Sequence, residues 1–383
     1  MTTPPVQSPT TVARRRLFRE LEHPGLAVSN ITPNWFASVM GTGIVATAAV
    51  TLPLQFPGLR VAATVVWALA SILLVVLIVA TALHWVRYPG TARGHLRNPV
   101  MAQFYGAPPM ALMVVGSGTL LLGSDVIGEP LALAIDAVLW TVGTVLGLIT
   151  AVAVPYLLFT RFEVGESSAF GGWLMPVVPP MVSAAGGALL LPHLPEGQAR
   201  LTMMLACYAF FGLTLIASLI VITLIWSRLV RHKIGAAVMV PTLWIVLGPL
   251  GQSITAANLL GGNAHLVVGP AYSEALLLFG VVYGVPVLGF ALLWAAIALA
   301  VTVRAVRQRL PFALTWWSFT FPVGTVATGT SGLALHTGSV AIGVLAVIVY
   351  AALVAAWLTV GVRTFHGAIV RGTLLAPPVA PPA

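Results

Sequence analysis

Residues 316–332 read WWSFTFPVGTVATGTSG. The stretch is apolar enough to lie in lipid, yet it carries one proline, three glycines and six hydroxyl side chains. A helix that only crosses a membrane needs none of these. In hydrocarbon every backbone N–H and C=O must be paired internally, so helix breakers are tolerated where the backbone faces protein or a watery cavity. The stretch therefore predicts an interrupted helix beside such a cavity.

The remainder of the chain places this helix in company. Of 383 residues, 59% are hydrophobic and 7% charged, with a mean hydropathy of +1.01. Soluble domains carry about 25% charged residues. The apolar runs are long and lack the alternation of barrel strands, which predicts an all-α integral membrane protein. Runs of roughly 20 apolar residues fall near 34–53, 62–85, 103–123, 131–159, 173–191, 202–226, 239–260, 273–301, 312–333 and 339–361, giving ten predicted transmembrane helices. Residues 31–365 form the predicted membrane domain. Residues 1–30, polar and basic without the apolar core of a signal peptide, and the Pro/Ala-rich 366–383 read as tails, the first disordered. Cys207, the single cysteine, lies inside an apolar run, so no disulfide framework or CxxC metal pattern is present.

Basic residues orient the spans. With the N-terminus in the cytoplasm, 16 of the 18 Lys and Arg residues fall on the inner side, and only Arg60 and Arg200 lie outside. This bias predicts an N-in, C-in topology. It also explains the formal net charge of +9 through the anionic inner leaflet, with no nucleic-acid partner required; membrane lipid is the expected surrounding.

Breakers concentrate in the odd-numbered spans. Span 1 has Gly41 and Gly43, span 3 Pro108 and Pro109, span 5 Pro179 and Pro180, span 7 Gly248 and Pro249, span 9 Pro322 and Gly324. Pro155 and Pro286 break the rule in two even spans. Four odd spans start near a proline, at Pro33, Pro99, Pro241 and Pro311, and the first break follows 8–11 residues on. At 1.5 Å per residue that is roughly 12–17 Å, near the midplane of a layer about 30 Å thick. Broken helices at one depth predict a shared cavity, hence five helical hairpins with odd helices inside and even helices outside, around a central pore. The competing reading is that small residues serve close helix packing.

The odd spans hold no Lys, Arg, Asp or Glu at depth. Their polar lining is neutral, and the expected pore contacts are Gly41, Thr42, Gly43, Pro108, Pro109, Pro179, Pro180, Gly248, Pro249, Gln252, Ser253, Thr320, Pro322 and Thr325. Hydroxyls and amides donate hydrogen bonds, although a hydroxyl in a helix often bonds back to its own turn. Helices restarting at mid-depth present positive dipole ends. Donors without carboxylates favour a small anion over a metal cation, so neither metal nor cofactor is expected. No HExxH, paired carboxylates or Ser/His/Asp set lies at membrane depth, which argues against an enzyme. Asp136, inside span 4, reads as a structural hydrogen-bonding group; Asp136, Glu274 and His336 are the candidates for proton coupling. Trp316 and Trp317 read as interface anchors.

NWFASVMGTGIVATAAVTLP (34–53), MVPTLWIVLGPLGQS (239–253) and WWSFTFPVGTVATGT (316–330) resemble the tellurite-resistance/dicarboxylate transporter family, which includes tellurite-resistance proteins, malate permeases, sulfite exporters and plant slow anion channels. The resemblance covers about 30–365. It implies ten helices as five hairpins around a pore, a homotrimer in the plasma membrane, and transport of inorganic anions, sulfite- or tellurite-like oxyanions, or C4-dicarboxylates. It further implies that a phenylalanine before the break in helix nine plugs the pore; the matching residue is Phe321. Proton-coupled carriage of malate or sulfite is the alternative.

Overall fold

A computed structural model of the chain describes residues 17–376. The described residues are helical and contain no strand. In chain order the helices are α1 (Phe36–Thr51), α2 (Leu59–Arg87), α3 (Pro89–Arg97), α4 (Ala107–Gly118), α5 (Ser124–Ile127), α6 (Glu129–Thr160), α7 (Pro179–Leu190), α8 (Gln198–His232), α9 (Leu247–Asn263), α10 (Pro270–Arg307), α11 (Phe321–Thr337) and α12 (Val340–Phe365). Seven helical stretches are long and apolar enough to cross a membrane: α2, 101–127, α6, α8, 237–266, α10 and 340–371. The other three predicted spans hold shorter helices, α1, α7 and α11, of 16, 12 and 17 residues.

Five short helices build the interior. α1, α4, α7, α9 and α11 touch in cyclic order, and α11 closes back onto α1. Each packs against the long helix that follows it, α2, α6, α8, α10 or α12. Burial separates the two sets. Of the apolar windows, 61% of 101–127 and 78% of 237–266 is buried, against 11–28% in the long helices. The long helices show one face to lipid, with residues such as Val65, Ile149, Ile216 and Val282 outward, as expected where lipid tails are the solvent. α6 and α10 run uninterrupted through Pro155 and Pro286.

The interruptions of the inner elements have a common design. A 3-10 turn leads in: Pro33–Trp35, Met101–Gly106, Gly171–Leu174, Ala237–Val246 and Leu314–Phe319. An α-helix follows, and prolines occupy its first positions in α4, α7 and α11. There the missing proline N–H would have had no partner anyway. The prolines expected to break these spans instead begin the second half. In the first span the break falls at Phe36; the helix runs unbroken through Gly41 and Gly43.

Glycines set the spacing of the ring. A Cβ on Gly41 would lie 2.1 Å from the Thr320 hydroxyl of the α11 entry, and one on Gly43 would lie 2.5 Å from Val114 of α4. One on Gly106 would stand 1.9 Å from the Met175 carbonyl, and one on Gly171 would stand 1.8 Å from the Thr242 carbonyl. Gly251 of α9 faces the Thr325–Val326 peptide of α11, with a Cβ at 2.4 Å. Backbone thus meets backbone at several of the seams, the close approach that small residues permit in membranes.

The segment from residue 17 to α1 is folded onto the bundle, including the part of 1–30 expected to be disordered; residues 1–16 and 377–383 of the two expected tails lie outside the described residues. Phe18 N–H donates to the Ile369 carbonyl at 2.9 Å, Glu20 N–H to the Arg371 carbonyl at 2.8 Å, and Arg371 pairs with Glu20 at 2.6 Å. His84 and His95 hold the same segment through the Val28 carbonyl (3.0 Å) and the Asn30 side chain (3.1 Å).

Candidate functional site

Two cavities lie inside the ring, one at the starts of the inner helices and one along their later turns, and Phe321 lines both. The first collects the beginnings of the inner helices: Met40 of α1, Met110 of α4, Val178 before α7, Gly248 and Pro249 of α9, Phe321 and Pro322 of α11. It is narrow, about 30 Å³, space for one or two waters. The starts of the five inner helices converge on it, but the expected free N–H groups are partly spent: Phe36, Ala107 and Leu247 donate to the Asn34, Phe104 and Ile245 carbonyls of the 3-10 turns in front of them. Its lining is apolar except for Asn34 and Ser318. The Thr32 hydroxyl bonds the Asn34 side-chain oxygen, which turns the Asn34 amide N–H group toward other partners.

The second cavity is wide, about 910 Å³, and is lined by the later turns of the same helices. None of its lining side chains is titratable except His336. Most hydroxyls here are already committed. Thr328 donates to the Thr325 carbonyl (3.0 Å), Ser331 to Ala327 (2.8 Å) and Thr47 weakly to Gly43 (3.4 Å). They present acceptor lone pairs to the cavity. Gln252 differs: it lines the cavity and has no hydrogen-bond partner among the described residues, leaving its two amide hydrogens available. His336 Nδ1 lies 2.7 Å from the Asn258 side-chain oxygen. Since an oxygen only accepts, Nδ1 carries the hydrogen, and neutral His336 keeps a lone pair on Nε2.

Phe321 lines both cavities and is 5% exposed. Its position follows from local sequence. Thr320, with φ −106° and ψ −78°, ends the 3-10 turn, and Pro322 opens α11. The ring therefore leaves the chain at the change of helix type, where side-chain direction is fixed by Pro322.

The expected pore contacts divide into two groups. Phe321, Pro322, Gly248, Pro249 and Gln252 line the cavities. Gly41 and Gly43 sit in seams, as described. Thr42 donates to the Ser38 carbonyl (2.7 Å) and accepts from the Trp357 indole (3.1 Å). Thr320 bonds the Trp317 carbonyl, and Thr325 reaches the Pro322, Leu247 and Gly248 carbonyls. Ser253 accepts from the Tyr283 hydroxyl at 2.8 Å, facing α10. Pro108 and Pro109 start α4, and Pro179 and Pro180 start α7; Pro179 packs on Gly147. None of these ten lines either cavity.

Other readings change more. Asp136 is fully buried, yet neither carboxyl oxygen has a hydrogen-bond partner among the described residues, so the expected structural bond is absent. The carboxyl lies against Gly116, whose Cβ would meet Oδ1 at 2.5 Å. Trp316 and Trp317, expected as exposed anchors, are buried against protein. Their indole N–H groups donate to the Pro311 carbonyl (2.9 Å) and the Thr364 hydroxyl (3.1 Å), and Trp317 lines the narrow cavity. Met175 and Val178, in the non-helical turn before α7, also line it. The only available signal for that turn was the run of prolines at 176, 179 and 180.

Comparison with known proteins agrees with this architecture. The family model described as voltage-dependent anion channel matches residues 30–365. A sulfite efflux pump of Arthroderma otae is 28% identical over 347 residues, covering 89% of this chain and 92% of the relative. An uncharacterized transporter of Methanocaldococcus jannaschii is 27% identical over 299 residues, covering 78% and 82%. A putative malic acid transport protein of Schizosaccharomyces pombe is 24% identical over 317 residues, covering 80% and 71%. The match spans all the inner helices and both cavities, and the chain belongs to the voltage-dependent anion channel family, a family of multi-pass membrane transporters and channels for anions.

Proposed function

We propose that this protein is a pore for small anions whose resting closure is the ring of Phe321. The observation that carries the reading is the position of that ring, which lines both the narrow cavity at the helix starts and the wide polar cavity along their later turns. The inner helices α1, α4, α7, α9 and α11 with their 3-10 entries, and the outer helices α2, α6, α8, α10 and α12, then make ten spans in five hairpins, N-in and C-in. A homotrimer in the plasma membrane is the accompanying assembly. Sulfite and malate, named for relatives, set the substrate class: oxyanions and C4-dicarboxylates. Asn34 and Ser318 in the narrow cavity and Gln252 in the wide one offer donors without fixed positive charge, so binding is weak and exit fast.

Proteoliposome flux of chloride, nitrate, sulfite and malate tests the reading, with wild type beside Phe321→Ala. The alanine variant raises flux of several anions with no proton gradient applied. Abolished flux, or flux that requires a pH gradient, defeats the gate. A second reading, proton-coupled carriage, is supported by one observation: His336 is the single titratable side chain lining the wide cavity. It requires that His336→Gln flatten the pH dependence of malate or sulfite flux; an unchanged pH profile removes it.

A further inference from the structure

Away from the ring, a groove of about 590 Å³ lies between the C-terminal turns of α8 and α10, floored by the 3-10 turn Ala237–Val246. One end is cationic: Lys233, Arg304 and Gln308 line it, and no Asp or Glu does. The other end is apolar, walled by Leu243, Trp294 and Val301. The Trp294 indole N–H is spent on the Leu243 carbonyl at 2.8 Å, so that wall offers carbon alone.

The cationic rim is held by the fold. Lys233 adopts φ +64°, uncommon for a side-chain-bearing residue. Arg228 fixes this turn by donating to the Lys233 (3.0 Å) and Ile234 (3.2 Å) carbonyls. Gly235, φ +76°, lets the guanidinium approach; a Cβ there would lie 3.3 Å from Arg228 Nη2. Lys233 Nζ makes one bond, to the Val230 carbonyl at 3.2 Å, and Arg304 has no hydrogen-bond or ion-pair partner among the described residues. Two cations thus share one concavity with an apolar wall and no counter-charge. Val230 and Val303, each next in sequence to a groove-lining residue, are exposed apolar side chains. The bland account, basic residues as orientation signals, explains the charges but not the fixed turn or the cavity between them.

We propose that this groove is a binding site for an anionic phospholipid, with its phosphate at Lys233 and Arg304 and an acyl chain along Leu243, Trp294 and Val301. A free phosphate would leave the apolar wall uncovered, and a zwitterionic lipid would bring its own cation against the two already present. The proposal is independent of the gate at Phe321.

Native mass spectrometry of the full chain in detergent tests it, using phosphatidylglycerol and phosphatidylcholine of matched chains and glycerol phosphate as probes. Wild type retains phosphatidylglycerol over phosphatidylcholine. Lys233→Gln/Arg304→Gln loses that adduct by about 30-fold, from about fivefold per cation. Val301→Trp, which fills the apolar end and keeps both charges, loses it as well, so the proposal is tested even if the double variant does not fold. Equal retention of the two lipids, or unaltered adducts in both variants, overturns the site. Competition by glycerol phosphate as effective as by the lipid reduces it to an ion site and overturns the lipid assignment. Loss of an oligomeric species in place of a lipid adduct makes the groove an interface between copies and also overturns it.

Discussion

Gly251→Ala provides a direct measure of how tightly the inner ring is drawn. A methyl group at residue 251 would stand 2.4 Å from both the Thr325 carbonyl carbon and the Val326 nitrogen, and 2.7 Å from the Thr325 oxygen. These are backbone atoms of α11 and have no rotamer to escape into. Carbon contacts settle at about 3.5–4.0 Å, so α9 and α11 must part by about 1 Å. The same seam carries the 2.7 Å bond between the Thr255 and Thr328 hydroxyls. A shift of about 1 Å takes that bond outside hydrogen-bond range. Overpacking costs about 1–3 kcal/mol, and the lost hydrogen bond about 0.5–1.5 kcal/mol more, since Thr255 and Thr328 keep their bonds to the Gly251 and Thr325 carbonyls. The gain of about 1 kcal/mol from replacing a helical glycine leaves a net loss of about 0.5–3.5 kcal/mol. Gly248, three residues earlier on the same helix, is the control. A Cβ there meets nothing within 4 Å and enters the narrow cavity. In detergent, thermal unfolding of Gly251→Ala falls by several degrees, roughly 2–4 °C per kcal/mol, while Gly248→Ala, which has the helical gain without the clash, melts at or a few degrees above the wild-type midpoint and reduces anion flux. A Gly251→Ala midpoint equal to wild type, or an equal fall in both variants, would refute the reasoning.

Gly171→Ala, with its Cβ 1.8 Å from the Thr242 carbonyl, lowers the melting midpoint at least as far as Gly251→Ala. Thr214→Val removes a buried donor 2.7 Å from the Val177 carbonyl and costs about 1–3 kcal/mol, read by the same unfolding scan. Gln252→Leu, which deletes the uncommitted amide of the wide cavity, lowers anion flux without moving the melting midpoint. His95 is held below its ordinary pKa, first by burial and then by the charge of His84, whose ring stacks on it at 5.3 Å. A depressed folded-state pKa favours the neutral ring, so its contribution is present above about pH 6.5 and is lost as pH falls through the lowered value. Amide exchange across residues 26–31 therefore accelerates on acidification from pH 7.5 to 5 beyond the intrinsic rate, and His95→Gln removes that acceleration.

Proline carried more information in this sequence than glycine did. Pro108, Pro179 and Pro322 marked where the inner helices are interrupted because a missing N–H can be accommodated only at a helix start, whichever neighbour the helix has. Glycine has no such single meaning. Gly248 faces a cavity, while Gly251, one turn on, faces the backbone of α11. Both lie in one apolar run, and only the orientation of α9 against its neighbours tells them apart. The hydroxyls were ambiguous for a similar reason. Thr320 and Thr325 satisfy local carbonyls, and nothing in their spacing says whether a lone pair or a hydrogen remains for the cavity. The Met175–Val178 turn was hidden because it is neither helical nor polar. Phe321 was legible through its place before Pro322 and through family resemblance, not through hydrophobicity, which it shares with Phe319.

The ring is closed by contact between its first and last members, α1 and α11, whose starts at Phe36 and Phe321 are separated by about 285 residues. At about 5–20 residues per second of synthesis, the early wall waits roughly 15–60 s for the helix that completes it. During that interval Gly41 and Gly43 border an open trough, with the wide cavity's polar turns turned toward lipid. Biogenesis of this architecture thus requires the insertion machinery, or a neighbouring chain, to shield the unfinished side until α11 and α12 emerge.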